Sequence, residues 1–366
     1  MTTKNKKIGI IGAGSWGTAI STLLIKAKPW NSVLLYTNEP TTMDSINSNA
    51  INPLFPDLTL SPNISATTNM NDMVECAEIF IAVPTNALRQ VINQLIASCR
   101  KAKLNFKKDY SEIKLQHDTI REIPGLVLCC KGIEKPNSNI TKNPRNTEQQ
   151  SLMLPLEVVE DCGWKGVIAV LSGPNFASEV MQNLPTASTI STIYKSYGPI
   201  LRLLLESPYF SLKIDTNTLS TQIYGALKNV IAIGSGLIEG LALGENAKAS
   251  FFAASVAEIS KVAIAAKAKI GSIISPAGIG DMFLTCSSNK SRNFAFGYQM
   301  GLSDSDEEID FDQIIAEANQ TTVEGYRTVQ LIDSLEQRFK IKMPICRIIS
   351  RIIKKELRPR NIVYCL

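Results

Sequence analysis

The sequence predicts an α/β chain in two parts: a doubly wound sheet over residues 1–214, then a mainly α-helical domain over 215–366. Three observations predict it. An apolar strand near the N-terminus runs straight into a glycine turn, and continuous apolar runs recur through the first half at βα intervals. Past about residue 215 the strand pattern gives way to helical texture. The length agrees, since 366 residues correspond to two domains at roughly 150 residues each.

The first strand and turn read Lys7-Ile8-Gly9-Ile10-Ile11-Gly12-Ala13-Gly14-Ser15-Trp16-Gly17. In a Rossmann-type βαβ unit, Gly12 lets the chain turn sharply after the strand. Gly14 lets backbone approach a pyrophosphate, and Gly17 lets the helix pack closely on the sheet. Free N–H groups at the helix start then favour a bound anion. Residues 18–25 supply that helix and residues 32–36 the second strand. Further apolar runs at 79–83, 125–130 and 167–171 are each closed by small polar residues, which fits a parallel sheet covered on both faces. Ligands of such sheets lie beyond the strand C-termini, so the tips at 12–17, 83–86, 131–132 and 173–177 are expected to line one crevice. In the second half, residues 224–240, 245–269, 312–318 and 329–339 read as helical. The acidic run at 303–308 reads as a solvated connection.

Composition narrows the function. With 45% apolar and 19% charged residues the chain is globular, and no uninterrupted apolar stretch reaches the ~18–20 residues that span a bilayer. The basic start leads into a glycine turn rather than a secretion signal, so a cytoplasmic protein is expected. The eight cysteines lack metal-ligand spacing and read as reduced, buried thiols; no metal site is expected. A net charge of +5 suits phosphorylated small molecules, and no basic-aromatic patch argues for nucleic acid. The single histidine, His117, lies in a polar stretch at 101–122 that reads as a surface insertion. Proton transfer is therefore expected from another residue type, with lysine next in line.

Three segments could carry chemistry, and each has two readings. Lys228 stands on an otherwise small and apolar helix, Gly225-Ala226-Leu227-Lys228-Asn229-Val230; it either snorkels to the surface or is a desolvated lysine able to protonate a developing alkoxide. Asp281, after Gly278-Ile279-Gly280, is either a helix N-cap or a carboxylate that orients a lysine or a substrate hydroxyl. Ser291-Arg292-Asn293 at a helix start is either a capping serine beside a surface arginine or a phosphate cage.

Together with Ala82-Val83-Pro84-Thr85, Lys131-Gly132-Ile133-Glu134, Ser172-Gly173-Pro174-Asn175-Phe176-Ala177, Gly244-Glu245-Asn246-Ala247-Lys248 and Val323-Glu324-Gly325, these segments resemble the bacterial-type NAD(P)-dependent glycerol-3-phosphate dehydrogenases across most of the chain. The resemblance implies reversible reduction of dihydroxyacetone phosphate to sn-glycerol 3-phosphate with NAD or NADP, feeding glycerophospholipid synthesis. It implies Lys228 as proton donor and acceptor, Lys131 as a contact to substrate and cofactor, and Asp281 and Asn229 as orienting groups. Ser291, Arg292 and Asn293 match the substrate-phosphate segment, with Arg292 also reaching the cofactor. Gly173, Asn175 and Ala177 match the loop touching substrate and nicotinamide, while Ser15, Trp16, Thr322 and Glu324 match cofactor contacts. Asn38 stands where many members carry the cation that holds the 2′-phosphate of NADP, so cofactor preference is open. Asn175 replaces a serine or threonine, and Ala253-Ala254-Ser255 replaces a threonine-arginine-glycine run, which bears on helix packing or dimer contacts. The expected partners are a small phosphorylated substrate and a second copy of the chain, with no nucleic acid and no integral membrane segment. Two other readings are a lysine-dependent hydroxyacid or sugar-acid dehydrogenase, which would not need the 291–293 cage, and a catalytically silent dinucleotide sensor, against which Lys131, Lys228 and Asp281 speak together.

Overall fold

The structure, a computed structural model, describes residues 7–104, 123–136, 152–304, 311–320 and 323–366. His117, most of the 101–122 stretch, Thr322 and residues 305–308 of the acidic run lie outside them. The described residues form two compact units. One runs to Cys130 and resumes over Pro155–Thr218; the other takes the segment from Lys131 to Leu154 together with Leu219–Leu366. The second unit thus begins with a stretch that the strand pattern alone attaches to the first.

The first unit contains β1 (Lys7–Ile11), α1 (Ser15–Ala27), β2 (Ser32–Tyr36), α2 (Pro40–Asn49), β3 (Ile64–Thr67), β4 (Glu78–Ile81), α3 (Thr85–Lys101), β5 (Gly125–Leu128), α4 (Pro155–Asp161), β6 (Ile168–Ser172), α5 (Ala177–Met181), β7 (Thr186–Ser191), α6 (Tyr197–Leu205) and β8 (Phe210–Asp215). The strands make one sheet in the order β3-β2-β1-β4-β5-β6-β7-β8. After β3 the chain returns to the other side of β1, so the strand order reverses between β1 and β4, the switch point where such sheets bind ligands. β4 and β5 are buried throughout and apolar apart from Glu78, which accepts from Tyr197 Oη at 2.6 Å. One pair departs from the expected parallel sheet: β7 runs antiparallel to β6, and β8 then pairs parallel with β7. The connection from β6 holds only the five-residue α5, and the chain comes back in the reverse direction. β7 is missed by an apolar search because Thr186-Ala187-Ser188-Thr189-Ile190-Ser191, buried from Ser188 onward, has a single large apolar residue.

The second unit is helical: α7 (Thr218–Gly240), α8 (Glu245–Ala265), α9 (Asp281–Cys286), α10 (Arg292–Leu302), α11 (Phe311–Gln320), α12 (Glu324–Val329), α13 (Ile332–Phe339) and α14 (Pro344–Ile353). The amphipathic stretch at 329–339 is interrupted, because α12 closes at Val329 and a turn through Gln330 and Leu331 precedes α13. α7 is buried along nearly its whole length, packed among Phe251, Ile259, Val262, Met282, Phe296, Met343 and Ile349. A helix apolar all round belongs in the centre of a core.

α10 lies on α7 backbone to backbone, through glycines on both helices. A Cβ on Gly236 would collide with the Phe294 carbonyl, and one on Gly297 with the Ile233 carbonyl. Gly240 and Gly301 meet in the same seam one turn on, where a Cβ on Gly301 would come within 2.7 Å of the Leu237 carbonyl. This close approach fixes the start of α10 against the middle of α7. Gly297→Ala should therefore lower unfolding stability by about 1–3 kcal/mol, measured by chemical denaturation, whereas an unchanged midpoint would show that the seam relaxes freely.

Candidate active site

In the first unit, β1 ends in the glycine turn. Gly12 has φ 112° and a Cβ there would come within 2.7 Å of the Ala82 carbonyl beyond β4. A Cβ on Gly17 would collide with the Gly12 carbonyl, so α1 packs on the turn at backbone distance. Gly14 differs: a Cβ there would meet nothing within 4 Å. No protein packing asks for glycine at that position, and the space it leaves lies at the N-cap of α1. That helix starts without a side-chain cap and without an acid in its first turn. Uncapped N–H groups beside open space form an anion cradle, and the residues present fit a dinucleotide pyrophosphate. Ser15 is exposed and Trp16 half-buried at the same turn, and Asn38 is exposed beyond β2. Gly173, at the end of β6, packs on β7, with a Cβ 2.8 Å from Ser188 Cα. Asn175 Oδ1 accepts from Ser188 Oγ at 2.7 Å, and Ala177 opens α5.

In the second unit, Lys228 does not snorkel. It is 6% exposed, and its Nζ donates to Asp281 Oδ1 at 2.5 Å and to Thr285 Oγ1 at 2.7 Å. Lys131 Nζ donates to the other oxygen, Asp281 Oδ2, at 2.7 Å, with its side chain 20% exposed. One buried carboxylate thus bridges two ammonium groups. The stem of Lys131 crosses α7 at Gly225, where a Cβ would stand 3.4 Å from Lys131 Cγ.

Asp281 is delivered by the turn before it. Ser275 Oγ accepts from Gly278 N at 3.0 Å and donates to the Ser272 carbonyl at 2.6 Å, and a Cβ on Gly278 would collide with the Ile273 carbonyl. The turn Pro276–Gly280 then leads directly into α9, with Asp281 its first residue and 2% exposed. Of the two readings of Asp281, the structure shows a lysine-binding carboxylate. Thr285, one turn on, donates to the Asp281 carbonyl at 2.6 Å, which leaves its oxygen to accept from Lys228. Sequence reasoning missed Thr285; its place four residues after the aspartate on one helix face was the available signal.

A second chain of hydrogen bonds runs beside the first. Asn229 Nδ2 donates to Glu324 Oε2 at 3.2 Å, Asn293 Nδ2 donates to Asn229 Oδ1 at 3.1 Å, and Gly325 N donates to Asn293 Oδ1 at 2.8 Å. Gly325 sits so close to α7 that a Cβ would stand 2.5 Å from the Asn229 carbonyl. Ser291 Oγ caps α10 by accepting from Phe294 N at 3.4 Å. Within the 291–293 segment, Ser291 and Asn293 therefore hold backbone in place, and Arg292 is the exposed cation.

These contacts set the charges. Burial pushes Lys228 down from the usual lysine value to about 8, with Lys131 adding to the effect and Asp281 opposing it. Burial alone would raise Asp281, but Lys131 and Lys228 outweigh it and hold the carboxyl below its usual range. Burial raises Glu324, against the pull of Lys131, Lys228 and Arg292. Two ammonium groups around one carboxylate leave a positive site suited to an anionic ligand, with one amine able to exchange a proton near neutral pH. Among the described residues no cluster of His, Cys, Asp and Glu could hold a metal, and no helix is long and apolar enough to cross a membrane.

Comparison with known proteins agrees with both halves. The family model described as NAD-dependent glycerol-3-phosphate dehydrogenase N-terminus matches residues 7–197, and the corresponding C-terminus model matches residues 217–364. A Wolbachia pipientis protein named glycerol-3-phosphate dehydrogenase (NAD(P)+) is 34% identical over 94% of this chain and 95% of its own length. One of the same name from Zymomonas mobilis is 32% identical over 95% of this chain and 88% of its own. The crystal structure of glycerol-3-phosphate dehydrogenase from Coxiella burnetii superposes with a TM-score of 0.79 at 26% identity, covering 98% of each chain. A cradle for a dinucleotide, a buried lysine and aspartate on adjoining helices, and matches along both halves lead to one conclusion: this chain belongs to the NAD-dependent glycerol-3-phosphate dehydrogenase family.

Proposed function

We propose that the protein catalyses the reversible, NAD(P)H-dependent reduction of dihydroxyacetone phosphate to sn-glycerol 3-phosphate, with the first unit holding the dinucleotide and the second supplying substrate binding and the proton. The observation that carries the reading is the buried Lys228, held by Asp281 and Thr285 and brought to about 8. Family membership supports the substrate. When bound, the reduced dinucleotide supplies the hydride to the C2 carbonyl carbon, and the carbonyl oxygen gains the proton that Lys228 Nζ releases. Lys131 stabilises the growing negative charge on that oxygen. Asp281 keeps both ammonium groups in place, and Asn229, anchored by Glu324 and Asn293, positions the substrate.

Arg292 and the first turn of α10 serve the substrate phosphate, while the bonds of Ser291 and Asn293 fix that turn. Gly12, Gly14, Ser15, Trp16 and Gly17 serve the dinucleotide, and Gly173, Asn175 and Ala177 the nicotinamide end. The cytoplasm is the compartment we assign, since all eight cysteines are free thiols.

Lys228→Ala should reduce turnover of dihydroxyacetone phosphate by at least about 10²–10⁴-fold while NADH affinity changes little, measured by steady-state rates and fluorescence titration. Turnover within a few-fold of the parent would remove Lys228 from the reaction.

The pH dependence follows from the charge of the amine. Ketone reduction needs the protonated form, so its kcat/KM should fall as pH rises through about 8; alcohol oxidation needs the free amine and should rise over the same range. Asp281→Asn removes the attraction that opposes burial, so both limbs should move to lower pH. That change also leaves the buried ammonium of Lys228 without its carboxylate, at about 3–5 kcal/mol of stability. Limbs that stay in place in a folded Asp281→Asn protein would show that the carboxylate does not set the amine.

A further inference from the structure

The open choice between NAD and NADP can be read at the edge of the sheet beyond β2 and β3. With a pyrophosphate at the turn between β1 and α1, the adenosine ribose of a dinucleotide falls near the end of β2. The groups there decide between a ribose 2′-hydroxyl and a 2′-phosphate. β2 and β3 end level, Tyr36 opposite Thr67, and the next residue stays paired, with Thr37 N donating to the Thr67 carbonyl at 3.0 Å. The two loops that follow therefore leave the same edge side by side.

Both loops present carboxylates that are held in position. Glu39, exposed at the head of α2, accepts from the buried Thr42 Oγ1 through Oε2 at 2.9 Å, while its own N–H donates to Thr37 Oγ1 at 3.1 Å. Asp72, after β3, is gripped twice: Thr67 Oγ1 donates to Oδ2 at 2.6 Å and Asn69 Nδ2 to Oδ1 at 2.9 Å. The segment itself supplies no countercharge, and from outside it Lys7 pairs with Glu75 at 2.9 Å. Between Lys28 and Arg89 there is no lysine, arginine or histidine, while there are six carboxylates, Glu39, Asp44, Asp57, Asp72, Glu75 and Glu78. Asn38, the neutral residue that left the cofactor open, stands beside Glu39 rather than in isolation.

From this edge we infer that Glu39, reinforced by Asp72, makes the protein select NAD over NADP. The inference rests on the dinucleotide reading of the glycine turn and names its ligand. A ribose hydroxyl is a neutral donor that a carboxylate can accept from. A 2′-phosphate would be set against the fixed negative charge of Glu39 and Asp72, and such like-charge contacts are strongly unfavourable.

Direct binding of NADH and NADPH by titration calorimetry tests this without relying on catalysis. The parent protein should bind NADH at least about tenfold more tightly than NADPH, with the gap narrowing as salt screens the charges. Glu39→Gln, which keeps the shape of the side chain, should tighten NADPH several-fold and shrink the ratio. Asp72→Asn should act in the same direction to a smaller extent, and Glu39→Arg or Asn38→Arg should move the ratio furthest. Equal affinities in the parent, or a folded Glu39→Gln protein with an unchanged NADH/NADPH ratio, would overturn the assignment. Failure to bind either dinucleotide would instead bring down the reading of the glycine turn, and this inference with it.

Discussion

A single carboxylate shared by two ammonium groups is the constraint from which the second unit is organised. Lys228 sits in the middle of a helix whose other positions are almost all buried and uncharged, a place where an ammonium is tolerated only if paired. Asp281 supplies the pairing from α9, and the Ser275 and Gly278 turn exists in the geometry that delivers it. The other oxygen of the same carboxylate draws in Lys131, so residues far apart in sequence are tied to one point. Burial and the neighbouring cation then bring the amine of Lys228 to a value at which it can both give and take a proton. The pairing that the fold needs is the same pairing on which the proposed chemistry draws.

The first unit solves a different problem with glycine. Gly12 and Gly17 are required by close backbone approach, but Gly14 faces open space, and that difference separates packing from ligand binding within one motif. At the far side of the same unit, specificity is carried by what the sequence leaves out. A long cation-free segment and two anchored carboxylates give the sheet edge a sign.

The sequence was most legible where one physical demand dominates. β1, the glycine turn and α1 were readable because strand burial and turn geometry act within a dozen residues, and β4 to β6 because strands buried on both faces must be apolar. β3 and β7 were not, since Ile64-Ser65-Ala66-Thr67 and the Thr- and Ser-rich β7 fill their places with small residues. The direction of β7 was also hidden, because pairing sense depends on a connection whose path sequence does not encode locally. At the site, local sequence leaves two readings of Lys228 and of Asp281, the family resemblance tips both toward function, and burial and distances show the two side chains buried and paired. Ser291 and Asn293 kept part of each reading: they lie at a helix start as expected, yet their side chains hold backbone and a neighbouring amide. Thr285 was passed over because its only signal, a place four residues after Asp281, gains meaning once Asp281 is known to hold a lysine.

The most direct measurement is the titration of the Lys228 side chain itself, followed by NMR of isotope-labelled lysines with Lys228→Met to assign the signal. A midpoint near 8, moving down in Asp281→Asn, is the expected result. A midpoint in the ordinary lysine range, indifferent to Asp281, would contradict the arrangement at its centre.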